Sequence, residues 1–218
     1  MDKVGHNGVP DPLSRASKQS VASMMLTVGL VSASVLFIAS LVAYLFIHFF
    51  HHVANAAPFP QLPGGLWVST VLLLASSGTL HWALTAARRD NQGGLRTAML
   101  VTLALGLAFL INQALNWVEL GSAVQAWGQS NHVDFNALTP DPVAQWLKFH
   151  LLAFYFLTVL HAAHVLGGVI PMAVTTRNAF AGHYTRTSHS GVRLLSMYWH
   201  FLDVVWLILF VVLTFTLH

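Results

Sequence analysis

Four residues near the C-terminal end of the chain carry side chains that can ligate a metal, hold a proton or make strong hydrogen bonds in apolar surroundings: His161, His164, His200 and Asp203. Asp203 stands in the middle of an otherwise uncharged stretch, Tyr198-Trp199-His200-Phe201-Leu202-Asp203-Val204-Val205-Trp206. A carboxyl group so placed in a lipid-embedded helix is costly and is a functional candidate by default. His200 and Asp203 are three residues apart, as are His161 and His164, so each pair shares a helix face. Counting residues gives their depth. His161 lies 13 residues past Lys148, roughly 20 Å down from that end, and His200 lies 7 residues past Arg193, roughly 10 Å up from the other. In a hydrocarbon core of about 30 Å these depths nearly coincide. Adjacent antiparallel helices are therefore expected to bring His161, His200 and Asp203 together.

Four uses fit such a cluster, one of them a site for lipid or a neighbouring subunit. The simplest is a buried polar cluster that keeps two helices in register, each interhelical hydrogen bond contributing about 0.6 kcal/mol. Metal or haem ligation would use the imidazoles but needs four inward groups at compatible spacing. A proton relay would use a lone carboxylate beside histidines. His48, His51 and His52 form a second group at the far end of the first apolar stretch, where histidines are either hydrated or metal-binding. With no cysteine in the chain, disulfides, thiolate metal sites and cysteine nucleophiles are excluded. No nucleophile elbow, phosphate loop or zinc-protease pattern is present. No residue is singled out as catalytic, cofactor-binding or metal-binding.

The elements that must position these groups are transmembrane helices. The 218 residues are 56% hydrophobic and only 8% charged, against about 25% charged in soluble domains. Apolar stretches cover about 21–50, 66–87, 96–120, 146–175 and 192–217. Each can cross the bilayer as a helix, and all are far too long for barrel strands. The fold class is therefore all-α, a polytopic bundle of five transmembrane helices over 21–218, preceded by a short loosely ordered tail over 1–20. The first stretch greatly exceeds a signal-peptide core and reads as a retained span. Pro58, Pro60, Pro63, Gly64 and Gly65 separate the first two spans, and Asp90 to Gly94 the next two. The long connector Gly121–Gln145 ends at Asp141, a helix cap, and Pro142, a first helical residue. Small residues at Ala75 to Gly78 and at Ala163, Gly167 and Gly168 are expected to allow close helix approach. Trp67, Trp117 and Trp146 suit the interfacial aromatic belt, and Glu119 lies near a span end.

Basic residues set the orientation. Lys3, Arg15, Lys18, Arg88, Arg89, Arg96, Arg177, Arg186 and Arg193 fall on one side if five spans alternate, and only Lys148 falls on the other. The positive-inside rule then puts the N-terminus in the cytoplasm and the C-terminus outside. No basic run carries interleaved aromatics, so nucleic-acid binding has no support.

The stretch Tyr198 to Trp206 closely resembles the last-helix signature of the haem–copper oxidase subunit III family. His161-Ala162-Ala163-His164-Val165-Leu166-Gly167-Gly168 is similar to that family's His-x-x-His-Val-x-x-Gly pattern on the preceding helix. Ser76-Ser77-Gly78-Thr79-Leu80-His81-Trp82-Ala83, and Gln113 followed by Trp117, extend the likeness over about residues 25 to 217, in the short five-helix bacterial form. The resemblance implies a non-catalytic subunit of a proton-pumping cytochrome c or quinol oxidase in the bacterial cytoplasmic (inner) membrane. It would hold no haem or copper, these residing in partner subunits. It would pack on the large haem-bearing subunit I, with subunit II and others in the complex, bind phospholipid and sustain proton uptake. Lipid or subunit contacts are expected at His81, Trp82, Gln113, Trp199 and Arg193. Three positions depart from the family pattern, with Ala33, Asn116 and Arg193 where glutamates usually stand. Such departures suit a divergent branch, for example an accessory protein of nitric oxide reductase. A stand-alone haem-binding or proton-conducting protein is the rival from another class.

Overall fold

A computed structural model describes residues 12–50, 62–131, 142–186 and 188–217, with side chains from residue 20 onward in the first segment and from 144 in the third. The described residues form five α-helices: α1 Pro12–Phe50, α2 Gly65–Arg88, α3 Gln92–Ser130, α4 Pro142–Phe180 and α5 Ser190–Thr216. All five are long and apolar enough to cross a membrane. The regular elements of the described residues are all helices, and their lengths and composition suit a multi-pass membrane protein.

Several bounds differ from the expected ones. α1 begins at Pro12, so the last nine residues of the expected tail, 12–20, are helical. Proline is favoured at a first helical position because its missing amide hydrogen is an orphan there, and Leu13, Ala16, Lys18 and Gln19 are good helix formers. α3 runs ten residues past its expected end, because 121–130 contains no proline and its Val124 and Gly128 stay buried against the bundle. At 1.5 Å per residue, the 39-residue helices overrun the hydrocarbon by several turns. Pro142 opens α4 as expected. Its expected cap, Asp141, lies outside the described residues.

α2, α3, α4 and α5 close a ring, each touching the next, with α5 returning to α2. The α2–α3 hairpin is the most extensive pairing. It turns at Asp90, which takes a positive φ of 57°, and Asn91 caps α3 by accepting a hydrogen bond from the Gly94 amide at 3.0 Å. α1 stands outside the ring, against α5 and α4 only. Its most apolar window is 17% buried, against 33 to 44% in the others. Two interhelical polar contacts hold its far end: Tyr44 Oη to Thr216 Oγ1 at 2.6 Å and His48 Nδ1 to His150 Nε2 at 3.0 Å.

Tryptophans from α5 fill the centre of the ring. Trp199 and Trp206 are buried almost completely. Trp199 Nε1 donates to Ser76 Oγ of α2 at 2.9 Å, while its ring lies against Gly106 of α3 and Gly168 of α4. A Cβ at Gly106 would come within 3.0 Å of that ring, and one at Gly168 within 2.8 Å of Tyr198. Glycine is required at both points because the aromatic side chains occupy the space a side chain would need. Gly168 is thus a close-approach residue as expected, whereas Ala163, Gly167, Ala75 and Gly78 face outward. Gly78 has open space beside it, while Gly167 lines a groove with Leu26 of α1 and Tyr198 of α5.

Candidate functional site

The four candidate residues do not converge. They form two separate pairs on opposite flanks of α5. On the α2 flank, His200 Nδ1 lies 2.7 Å from Ser77 Oγ and 3.5 Å from Asp203 Oδ2. The Asp203 side chain is 7% exposed and that of His200 is 40% exposed. Neither carboxyl oxygen of Asp203 has a hydrogen bond among the described residues. The expected imidazole–carboxylate approach therefore exists as a close polar contact, with the serine as the nearer partner of the imidazole. His81, one helical turn from Ser77 on α2, lies within electrostatic reach of His200.

On the other flank, His161 is fully buried and neither ring nitrogen has a hydrogen bond among the described residues. Its ring sits among Phe37 of α1, Phe109 of α3 and Trp206 of α5, with centroids 6.2, 5.9 and 5.2 Å away. His164 is half-buried; its Nδ1–H donates to the Leu160 carbonyl at 2.8 Å, and its ring lies 5.1 Å from that of Phe37. Among the described residues no hydrogen bond or ion pair joins His161 to His200 or Asp203. His161 meets α5 at Trp206, six residues along from His200, whereas the α4 residues beside Tyr198 and Trp199 are His164 and Gly168.

Two of the expected lipid or subunit contacts are corrected. Gln113 and Trp199 are completely buried inside the ring, Gln113 against Ser69 of α2 and Trp199 among Ser76 of α2, Gly106 of α3 and Gly168 of α4. Gln113 Oε1 accepts from Ser69 at 3.3 Å in a network with Asn112 and Asn116, both of which also donate to Ser69 Oγ. His81, Trp82 and Arg193 are exposed. Arg193 lines a groove of about 490 Å³ with Ser20, Ser23 and Ser190. Trp117 is half-buried and donates to Thr158 at 3.0 Å, so it serves the α3–α4 contact rather than a belt alone. His51 and His52 lie outside the described residues. His48 pairs with His150, which the sequence reading had not singled out. The i−4 carbonyl of Trp146 accepts from His150 Nδ1 at 2.8 Å, leaving Nε2 to accept from His48 when His150 is neutral. Among the described residues no three histidine, aspartate or glutamate side chains are grouped as a metal site would need.

The family profile described as cytochrome c oxidase subunit III matches residues 149–216, a little under the last third of the chain, which holds His161, His164, His200 and Asp203. Over nearly the whole chain, similarity extends to curated relatives. The chain is 31% identical over 215 residues to cytochrome c oxidase subunit 3 of Synechocystis sp., covering 95% of this chain and 77% of that protein. It is 31% identical to the Thermostichus vulcanus subunit 3, over 86% of this chain and 84% of the other. For that of Corynebacterium diphtheriae the identity is 30%, over 92% and 94%. The chain belongs to the cytochrome c oxidase subunit III family. As a divergent subunit III, it is a multi-pass membrane protein of the haem–copper oxidase class, and its relatives are subunits of an oxidase complex. The three departures from the usual subunit III pattern occupy unlike places. Ala33 is buried on α1, Asn116 is buried in the α2–α3 network, and Arg193 is exposed at the start of α5. At Asn116 a neutral amide donates to Ser69 where the family usually places an acid, so that seam is built from uncharged groups.

Proposed function

We propose that this chain is the non-catalytic third subunit of a proton-pumping respiratory oxidase in a bacterial inner membrane. In this reading it holds no haem or copper, binds to subunits I and II, takes up phospholipid and supports assembly and sustained proton uptake during oxygen reduction. Its N-terminus lies in the cytoplasm and its C-terminus outside. The observation that carries the reading is the end-to-end similarity to short bacterial subunit 3 proteins, 92% of this chain against 94% of the Corynebacterium diphtheriae protein. The interior agrees with a supporting role. Its buried polar groups tie helices together: Ser76 to Trp199, Thr70 to Trp206 and Ser69 to Asn112.

The test is purification of the tagged chain from its own membranes. A large haem-bearing subunit is expected to accompany it, and the chain separated from that subunit is expected to show no haem absorption. A haem spectrum from the separated chain would defeat the proposal in favour of a stand-alone haem protein. The missing acids at Ala33, Asn116 and Arg193 favour one second reading, an accessory protein of nitric oxide reductase. Recovery of a nitric oxide reductase instead of an oxidase would establish it.

A further inference from the structure

The outer side of the α2–α5 contact is polar at a depth where lipid offers nothing polar. His81 is exposed on α2. Across from it His200, its side chain 40% exposed, is tied through Nδ1 to Ser77. With Nδ1 so engaged, Nε2 is the nitrogen left to face outward, as a donor if Ser77 donates to Nδ1 and as an acceptor if the ring does. Behind His200 lies Asp203, 5% exposed, with the His200 imidazole 3.5 Å from Oδ2 and Ser77 as its other polar neighbour. His81 and His200 each stand seven residues from the arginine at the end of their helix, roughly 10 Å inside the basic end. Apolar exposed residues flank them: Leu74 and Trp82 on α2. α1, which covers other flanks of α4 and α5, does not reach α2.

Polar side chains inside a bilayer face a protein interior or a water-filled cavity, not acyl chains. We infer that the α2–α5 seam, through His81 and His200 backed by Ser77 and Asp203, docks a membrane span of another oxidase subunit. That span carries a hydrogen-bonding side chain level with the two histidines. The inference rests on the oxidase reading above, since that reading supplies the neighbour. A phospholipid is a poorer occupant, because at this depth it presents only acyl chain, and Arg193 is the group placed to meet a headgroup. A second copy of this chain would bring the same histidines but leave the neighbouring oxidase subunit elsewhere.

The experiment uses the whole complex in its membrane. A photo-activated benzoylphenylalanine replaces Trp82 or Leu74, which flank the histidines, so the Ser77–His200 contact is left intact. After illumination the tagged chain is purified and its adducts identified by mass. A covalent adduct with another oxidase subunit is the expected result. Adducts with lipid alone or with a second copy of this chain, or no adduct, would overturn the inference. In parallel, the double substitution His81→Leu and His200→Leu is expected to lower the oxidase subunits retained per tagged chain by about threefold or more, the factor corresponding to a single interhelical hydrogen bond. A smaller loss counts against the inference. If the unsubstituted chain retains no oxidase subunit, the proposed function itself fails; if it does retain them but the adducts lie elsewhere, only the docking surface fails.

Discussion

Asp203 and His161 are both buried polar residues inside spans, yet their surroundings assign them different work. Asp203 has an imidazole 3.5 Å away at the α2–α5 seam. His161 has aromatic rings on several sides and, among the described residues, no polar partner for either nitrogen. Leaving a buried donor or acceptor unpaired costs about 1–3 kcal/mol. Substituting His161→Phe removes two such atoms and keeps an aromatic ring among aromatic rings. The assembled complex is expected to tolerate it, with thermal stability changed by no more than about 1 kcal/mol because overpacking offsets part of the gain. A thermal melt of the purified complex, read beside its turnover, checks this; unchanged stability with lost turnover would give His161 a proton-handling role. Asp203→Asn is expected to act oppositely. It removes the acid beside His200, so the yield of assembled complex should fall more than turnover per assembled complex. Normal yield with pumping abolished would place Asp203 in a relay.

At the scale of elements, helix approach is set by where aromatic side chains lie. Gly168→Ala puts a Cβ 2.8 Å from Tyr198 and 3.2 Å from Trp199, so α4 must move from α5. Overpacking of this kind costs about 1–3 kcal/mol. Gly78→Ala meets nothing within 4 Å and lies in a helix of the same ring. The first substitution should lower the melting temperature of the detergent-solubilised complex, and the second should not lower it. α1 is the loosest element, and its attachment can be tested with a double-mutant cycle. Tyr44→Phe and Thr216→Val should show a coupling of about 0.6 kcal/mol, the average interhelical hydrogen bond in membranes. A coupling near zero would show that packing on α4 and α5 alone holds α1.

For the whole molecule, the charge distribution carries the orientation. Arg96 Nε donates to the Ala179 carbonyl at 3.2 Å, and Gln92 donates to the Tyr184 carbonyl at 2.7 Å. The α2–α3 turn and the α4–α5 connector therefore share one end of the bundle, with Arg88, Arg89, Arg96, Arg177, Arg186 and Arg193. Lys148, near the start of α4, belongs to the other end. Under the proposed orientation, the positive-inside rule puts the arginine-rich end in the cytoplasm. A cysteine replacing Arg193 should resist a membrane-impermeant label added from outside and react once the membrane is opened. Labelling in intact cells would reverse the orientation.

Hydropathy alone was enough to reveal five spans, because unpaired backbone in lipid forces each long apolar stretch into a helix. The same chain composition placed nearly all arginine and lysine at one end, and the ordered motifs on α2, α4 and α5 were enough to indicate the family. Spacing along a helix also paired His200 with Asp203 and His161 with His164, since residues three apart share a face whatever surrounds them. How the helices mesh was beyond reach. Which residues of α4 meet which of α5 depends on side chains from several helices packing at once; Gly168 lies beside Trp199, while His161 meets Trp206, six residues along from His200. Tertiary packing likewise sealed Gln113 and Trp199 inside the ring and left His81 and His200 on the outer side of the α2–α5 contact, because closure of the ring is a property of the bundle and of no single segment.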